Sequence, residues 1–274
     1  MIRNNILRNK TLFCIISIVI LLCFLLVYLY TRETFVINVK ENEINDEIKN
    51  IYTAIIVEPR QHKALVFVLE NFLENLSHEW NVIIFHGNKN ETFLDNIIKN
   101  NLSSYKSRIK KINLKVDNLT ITDYNNLLVS HEFYNYIPTE VFLVFQTDTV
   151  ICKEYKGLIN NFIQYDYVGA PWRGCNNNCI GNGGLSLRRK SKMLEIIDTC
   201  PYNGSNEDVY FVNCDKVKLN IPSIEKANTF SIETIFNDKS FGVHKTWNYL
   251  NQNEITAKIS KCKALKKLIE LNTY

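Results

Sequence analysis

Acidic side chains stand at two positions where chemistry could take place. Asp148 ends the most hydrophobic of the predicted strands, Thr139–Asp148, and Glu207 and Asp208 are adjacent ahead of another apolar run. A carboxylate that ends an apolar strand is costly to bury alone, so we expect Asp148 to face a cleft and a cation, or to cap the following turn. Adjacent acids ahead of an apolar run are also typical of the first turn of a helix. The first position is therefore a candidate for cation binding and the second for proton transfer, with a local structural role as the alternative at each.

A glycine-rich segment lies between these acids. Five of the nine glycines fall within Gly169–Gly184, and such density indicates that the backbone approaches a ligand closely or adopts positive φ. The segment has neither G-x-G-x-x-G between a strand and a helix nor the G-K-[ST] ending of a phosphate-binding loop. Trp172, Asn182 and Arg188 add an aromatic surface, an amide and a cation. These side chains are suited to binding sugars and phosphates.

One histidine and the cysteines complete the set of candidate residues. His244 lies in the aromatic, glycine-containing segment 241–247, which we expect to be a loop. A lone histidine is usually structural, so a ligand role for His244 depends on its neighbours in the fold. Cys175 and Cys179 have the spacing of half a zinc site, but no second pair follows. Disulfides or free thiols are therefore the favoured interpretation of the cysteines.

The elements that must position these residues alternate between two hydrophobic periods. β-Branched, apolar runs predict strands at 51–60, 81–87, 112–116 and 139–148. Apolar residues at helical spacing predict helices at 62–76, 91–102 and 121–137. Alternating strands and helices predict an α/β fold with a largely parallel sheet and helices on both faces. Ligands bind such sheets at the carboxyl ends of the strands, which directs attention to Glu58, Arg60 and Gln146.

An uncharged run precedes this domain. Residues 11–30 carry no charge, and twenty such residues are enough for a helix to cross a bilayer. Arg3, Arg8 and Lys10 lie before the run, so the positive-inside rule keeps the N-terminus in the cytosol. A cleaved signal peptide is the alternative, but its apolar region is usually shorter and Tyr28–Tyr30 makes a poor cleavage site. The sequence predicts a single-pass type II membrane protein facing the lumen of the ER or Golgi, where disulfides persist.

Composition bounds the class of protein. A hydrophobic content of 46% excludes a disordered chain, and a net charge of +4 over 274 residues is too mild to argue for nucleic acid binding. The predicted organisation is a cytosolic tail (1–10), a membrane anchor (11–30), a stem (31–50), one α/β domain (51–250) and a basic C-terminal helix (251–274).

The order of the candidate residues is more specific than any one of them. A strand-terminal acid, a glycine-rich loop, an acidic pair at a helix start and a late histidine resemble the GT-A glycosyltransferases, which use nucleotide-sugar donors. The likeness is greatest to a family of glycosyltransferase-like domains of uncharacterised function. Its marks here are AIIVEPR, VFQTD, YDYVGAPW, GNGGLSLR, NEDVYF and FGVHKTW. The resemblance implies that residues 51–250 form a catalytic domain with a GT-A-like, mostly parallel sheet flanked by helices.

The resemblance also implies a role for each candidate residue. Asp148 and His244 would hold a divalent cation, Mn²⁺ or Mg²⁺, and Asp208 would take the proton of the acceptor hydroxyl. Glu207 would orient the acceptor or take the proton itself, because adjacent side chains on a helix diverge by about 100° and cannot both face it. The residues implied for the sugar and acceptor pocket are Trp172, Asn182, Gly183, Gly184 and Arg188. Those implied for the nucleotide are Glu58, Arg60 and Gln146.

The chain departs from the family pattern at one position. Gln146 stands where the family has the first acid of a D-x-D motif, and its amide brings no negative charge. Because Mg²⁺ and Mn²⁺ often need only one or two protein carboxylates, metal-assisted, inverting transfer to a glycan, lipid or protein acceptor stays the main hypothesis. The missing acid keeps open an inactive, membrane-anchored carbohydrate-binding module on the same fold. A nucleotidyltransferase is less favoured, since residues 51–60 contain no glycine.

Overall fold

The computed structural model describes residues 51–174 and 180–273 of the chain. The predicted tail, membrane anchor and stem (1–50) lie outside the described residues, as do Cys175 and Cys179. Within the described ranges, no helix is both long enough and apolar enough to cross a bilayer.

The described residues form strands and helices in regular alternation up to β4. The strands are β1 (Tyr52–Val57), β2 (Trp80–His86), β3 (Ile109–Asn113), β4 (Val141–Phe145), β5 (Thr149–Ile151), β6 (Tyr167–Val168), β7 (Leu185–Arg189), β8 (Ser231–Ile232) and β9 (Gly242–His244). The α-helices are α1 (Leu65–Asn75), α2 (Glu91–Asn100), α3 (Ile121–Leu128), α4 (His131–Asn135), α5 (Lys190–Thr199), α6 (Glu207–Val212), α7 (Ile224–Phe230), α8 (Gln252–Lys261) and α9 (Ala264–Thr273). The 3₁₀ segments are Ser103–Arg108, Lys153–Asn161 and Thr246–Asn248.

The main sheet has six strands in the order β3-β2-β1-β4-β7-β6. Strands β3, β2, β1 and β4 pair in parallel, which confirms the predicted mostly parallel sheet. Strand β7 runs antiparallel to both of its neighbours, a feature that the sequence analysis did not predict. Its first residue, Leu185, therefore pairs with Phe145, the last residue of β4. This pairing brings residues 181–184, the glycine loop directly before β7, to the edge of the sheet where β4 ends.

The core lies on both faces of this sheet. Successive side chains of a strand point to opposite faces, and β4 shows the consequence. Leu143 and Phe145 belong to one buried cluster, in which Phe145 stacks on Phe72 of α1 with the ring centroids 3.9 Å apart. Phe142 belongs to the cluster on the other face, together with Phe133 of α4. Helices on both faces thus bury a strand that is apolar at every position.

A second sheet of three short strands, β5-β9-β8, carries one of the candidate residues. His244 ends β9 and is paired with Thr149 of β5, so it lies on a strand rather than in the predicted loop. The loop prediction was wrong because a strand of three residues leaves no periodic pattern in the sequence.

In the part of the chain that the structure describes, two disulfides tie further segments to this framework. Cys152, directly after β5, is bonded to Cys262 at the end of α8. Cys200 is bonded to Cys214, which closes the segment that contains α6.

Several element boundaries differ from the predictions. Strands β1 and β4 are shorter than the strands predicted at 51–60 and 139–148. Strand β3 ends before Lys115, whose φ of 60° does not suit a strand, instead of continuing to 116. The helix predicted at 121–137 is two helices, because the Ser130 side chain accepts a hydrogen bond from Phe133 N and begins a new one. The predicted C-terminal helix is likewise two helices, α8 and α9, which meet at Cys262.

Candidate functional site

A cleft of about 450 Å³ opens at the carboxyl ends of β1 and β4. The predicted residues that line it are Glu58, Arg60, Gln146, Asn182, Gly183, Gly184, Glu207, Asp208 and His244. Trp172, Arg188 and Asp148 do not line it, although Asp148 contacts the lining residue His244. Another cavity, of about 340 Å³, contains none of the predicted residues, so we place the candidate site at the larger cleft.

His244 lies between two carboxylates. Its Nε2 is 3.3 Å from Asp148 Oδ1, and its Nδ1 is 3.1 Å from Glu233 Oε1. The pairing of Thr149 with His244 brings Asp148 and His244 together, and Lys245 N adds a hydrogen bond to the Asp148 carbonyl. Because β8 pairs with β9, Glu233 arrives from the other side. No pattern in the sequence pointed to Glu233, because its position depends on this pairing.

The two carboxylates set the charge of this group. Burial lowers the pKa of His244, but Asp148 and Glu233 outweigh it and raise the pKa to about 9. Burial also works against the charge on Asp148, yet His244 and Lys245 bring the pKa of Asp148 below its usual value. In the absence of another cation, His244 is therefore an imidazolium between two carboxylates at neutral pH.

Asp148 and His244 are placed as a two-residue ligand set would be. Asp148 Oδ1 is buried but has no hydrogen-bond partner of good geometry. Adjacent ligands of an octahedral cation at about 2.1 Å lie about 3 Å apart, close to the separation of Asp148 Oδ1 and His244 Nε2. Among the described residues, no group of three or more His, Cys, Asp or Glu side chains could hold a metal. The two residues fit a Mg²⁺-like cation only if substrate phosphate or water completes its coordination.

The glycine loop packs directly against the reactive groups. A Cβ on Gly183 would collide with Glu207 Oε1, and one on Gly184 would collide with His244 Nε2. A Cβ on Gly181 would collide with the ring of Trp172. Glycine is needed at these positions because side chains from three other segments approach the backbone there. Trp172 therefore packs against the backbone of the glycine loop and does not line the cleft.

Asp208 and Glu207 start α6 and face different partners. Asp208 Oδ2 accepts a hydrogen bond from Gly183 N at 3.0 Å, and its Oδ1 accepts one from Val209 N at 2.8 Å. Glu207 is buried and bound by both terminal nitrogens of Arg188, at 2.6 and 2.9 Å. Asp208 is half-buried and Glu207 is buried, and both line the cleft. Their different partners, and not separate faces of the helix, distinguish the two acids.

Arg188 is a buried cation and not a cleft residue. Its side chain is 1% exposed, its Nε donates to Ser186 Oγ, and it stacks on the rings of Tyr167 and Phe211. The sequence analysis expected Arg188 to contact substrate, but the structure places its side chain in the interior and outside the cleft lining. Arg188 is the penultimate residue of β7, and its burial could have been recognised only with the antiparallel pairing of this strand known.

Further cleft residues follow the ends of β1 and β4 or lie on α3. Glu58 accepts hydrogen bonds from Nε and Nη2 of Arg60, and this contact raises the pKa of Arg60 despite partial burial. The Arg60 side chain is 58% exposed and reaches the cleft. Gln146 Nε2 donates to Tyr124 OH at 3.1 Å. Tyr124 and Asn125 of α3 also line the cleft, but the sequence analysis did not single them out.

The comparisons with known proteins establish a family. The family described as "Protein of unknown function (DUF5672)" matches residues 106–244, just over half of the chain. The chain belongs to this family. The DUF5672 match contains Asp148, Asp208 and His244 but not Glu58 or Arg60. Among curated proteins, none matches the sequence.

Solved structures show distant likenesses. HddC from Yersinia pseudotuberculosis is 16% identical, with 62% of this chain and 88% of that chain covered and a TM-score of 0.40. The structure of HddC from Yersinia pseudotuberculosis complexed with GMP-PN is also 16% identical. It covers 61% of this chain and 100% of that chain, with a TM-score of 0.38. The mannosyltransferase PcManGT from Pyrobaculum calidifontis, in complex with GDP-Man and Mn²⁺, is 7% identical, with 58% and 50% covered and a TM-score of 0.42. Likenesses at this level are compatible with many activities.

Proposed function

We propose that this DUF5672 protein is a glycosyltransferase that moves a sugar from a nucleotide-sugar donor to an acceptor hydroxyl. The observation that carries the proposal is that Asp208 and His244 line one cleft and that Asp148 contacts His244 behind this lining. Gly183 contacts Asp208 and Gly184 contacts His244, so a half-buried acid and the Asp148–His244 pair lie against consecutive residues. Sugar transfer needs both: a base for the acceptor and positive charge for the leaving diphosphate.

Asp208 is the proposed base. The N–H groups of Gly183 and Val209 each donate to its carboxylate and hold it in a fixed orientation at the cleft. As the acceptor oxygen bonds to the anomeric carbon, its proton passes to Asp208 and the bond to the nucleoside diphosphate breaks. Attack from the side opposite the leaving group inverts the anomeric centre. Glu207 is not the proposed base, because Arg188 binds both of its oxygens.

Asp148 and His244 are the proposed ligands of a divalent cation. When bound, such a cation would offset the charge on the leaving diphosphate. Arg60 is fixed by Glu58 and reaches the same cleft, so we assign its guanidinium to the phosphates of the donor. Gln146 follows β4, the strand next to β1, and lines the same cleft, where its amide can bond a ribose hydroxyl or a metal-bound water.

We further propose that residues 11–30 anchor the enzyme in the membrane and that the domain faces the ER or Golgi lumen. The two disulfides support this, because disulfides persist in oxidising compartments and are rare in the cytosol. A glycan, lipid or protein in that compartment would be the acceptor.

A donor screen with product analysis tests the activity. Thermal unfolding of the full chain in detergent is followed with a panel of nucleotide sugars, with and without Mn²⁺. Because a ligand that binds only the folded protein raises its melting temperature, the correct donor should stand out. Release of nucleoside diphosphate that increases with added glycan, lipid or peptide acceptor is the expected result. A donor that binds without turnover would support the carbohydrate-binding module, and consumption of a sugar phosphate with release of pyrophosphate would identify a nucleotidyltransferase.

A further inference from the structure

Glu233 is a buried carboxylate whose one ionic partner within residues 51–174 and 180–273 is His244. It follows β8 directly, is 5% exposed, and its Oε1 lies 3.1 Å from His244 Nδ1. It does not line the cleft, so it has no direct access to a substrate there. Burial of a carboxylate is costly for the fold unless a partner of opposite charge or hydrogen bonds compensate it.

The contact lies on the side of the imidazole that faces away from Asp148. Pairing of β9 with β5 fixes the backbone of His244 but leaves its ring free to turn about the side-chain bonds. The collision that a Cβ at Gly184 would have with Nε2 shows that this nitrogen points towards the glycine loop. A carboxylate beside Nδ1 favours the ring orientation in which Nε2 points towards the glycine loop. It attracts the N–H at Nδ1 and leaves Nε2 for a ligand.

We infer that Glu233 is a positioning residue for His244. The contact at Nδ1 is an ion pair at 3.1 Å and not a hydrogen bond of good geometry. By this attraction Glu233 holds Nε2 towards Asp148, where a divalent cation would displace the Nε2 proton to water. The inference rests on the proposed metal-assisted function, but it concerns cation binding and can be measured without turnover.

Binding of Mn²⁺ alone to the full-length protein tests the inference. Free Mn²⁺ is followed by electron paramagnetic resonance during titration of the wild type, Glu233→Leu and Glu233→Gln. Loss of the acceptor in Glu233→Leu should weaken Mn²⁺ binding by about 10–100-fold. Glu233→Gln should retain part of the affinity, because its amide oxygen can still accept a hydrogen bond from the N–H at Nδ1.

Asp166→Asn is the matched control. Asp166 is also a buried carboxylate, with Arg189 at 3.0 Å, but it does not line the cleft. This variant should melt at a lower temperature and bind Mn²⁺ as the wild type does. Equal losses of affinity in Asp166→Asn and Glu233→Leu, wild-type affinity in Glu233→Leu, or no Mn²⁺ binding by the wild type would each overturn the inference.

The same measurements separate the inference from the proposed function. If Mn²⁺ binding follows the expected order but no nucleotide sugar is consumed, the positioning role of Glu233 stands and the glycosyltransferase proposal fails. If sugar is transferred and Mn²⁺ affinity is independent of residue 233, the activity stands and Glu233 has no positioning role.

Discussion

Arg188 and Glu207 form a bidentate ion pair beside the cleft, which Glu207 lines and Arg188 does not, with side chains that are 1% and 4% exposed. Glu207 is the first residue of α6, and Asp208 is the second. The ion pair therefore fixes the start of the helix that carries the proposed base. It joins α6 to β7, and hence to the main sheet.

Removal of one partner should destabilise the protein strongly. Arg188→Met leaves Glu207 as an uncompensated buried charge, which should cost about 3–5 kcal/mol of unfolding free energy. The double variant Arg188→Met/Glu207→Leu should recover much of this loss, because apolar residues of similar volume often replace a buried pair at little cost. Urea denaturation of the three proteins measures both effects. A loss below about 1 kcal/mol in the single variant would contradict the burial of this pair.

Asp208→Asn should abolish most transfer while the fold survives. The amide keeps the shape of the side chain but cannot take the acceptor proton, so turnover should fall by about 10²–10⁴-fold at nearly unchanged donor affinity. Single-turnover rates and donor binding are measured beside melting temperature. Asp215→Asn is the control, because Asp215 is exposed and lies outside the cleft. Normal transfer by an Asp208→Asn protein that melts at a lower temperature would show that Asp208 only supports the start of α6.

Gly184→Ala should disturb His244 without filling the cleft. The added Cβ would collide with the imidazole and push Nε2 away from Asp148. We expect Mn²⁺ affinity to fall at least tenfold, on the scale seen when the support of a metal ligand is lost. Gly157→Ala is a matched control, since a Cβ there meets nothing within 4 Å, and it should leave binding intact. Equal Mn²⁺ affinities in the two variants would mean that the loop does not set the position of His244.

Lys258 should make stability depend on alkaline pH. Burial lowers the pKa of Lys258 from 10.5 to about 8, against the opposing effect of Asp238. Between these two values the unfolded chain binds more protons than the folded one, so stability should rise with pH across this window. The rise should amount to a few kcal/mol at most, at about 1.4 kcal/mol per pKa unit.

Urea denaturation at pH 7.5, 9 and 10 measures this dependence in the wild type and in Lys258→Met. The variant should lack the part of the slope that belongs to Lys258. Parallel pH profiles for the two proteins would show that Lys258 titrates alike in the folded and unfolded states.

The sequence predicts the parallel part of the sheet well because strands buried on both faces are apolar throughout. Ile55 and Val144, for example, belong to continuous apolar runs that no other element explains. The convergence of Arg60 and Gln146 on one cleft follows from the rule that parallel strands end at the same edge.

The parts that were missed depend on pairing between distant short segments. Glu233 is brought to His244 by strands of two and three residues, which are too short to show a period in the sequence. The burial of Arg188 depends on β7 lying between two strands. Tyr124 was assigned correctly to a helix, but its contact with Gln146 joins residues 22 positions apart and has no local signal.

The two C-terminal helices have a consequence for where the functional unit ends. Cys262 is bonded to Cys152, and Asn272 Nδ2 donates to the Thr147 carbonyl, so both ends of the segment that contains Asp148 are attached to residues beyond 250. Leu265 and Leu268 lie in the same buried cluster as β5. A chain shortened to residues 51–250 would keep every candidate side chain of the site. It would nevertheless lose the covalent and hydrogen-bonded attachments that orient Asp148, and cation binding would be expected to fail in a protein whose binding residues are all present.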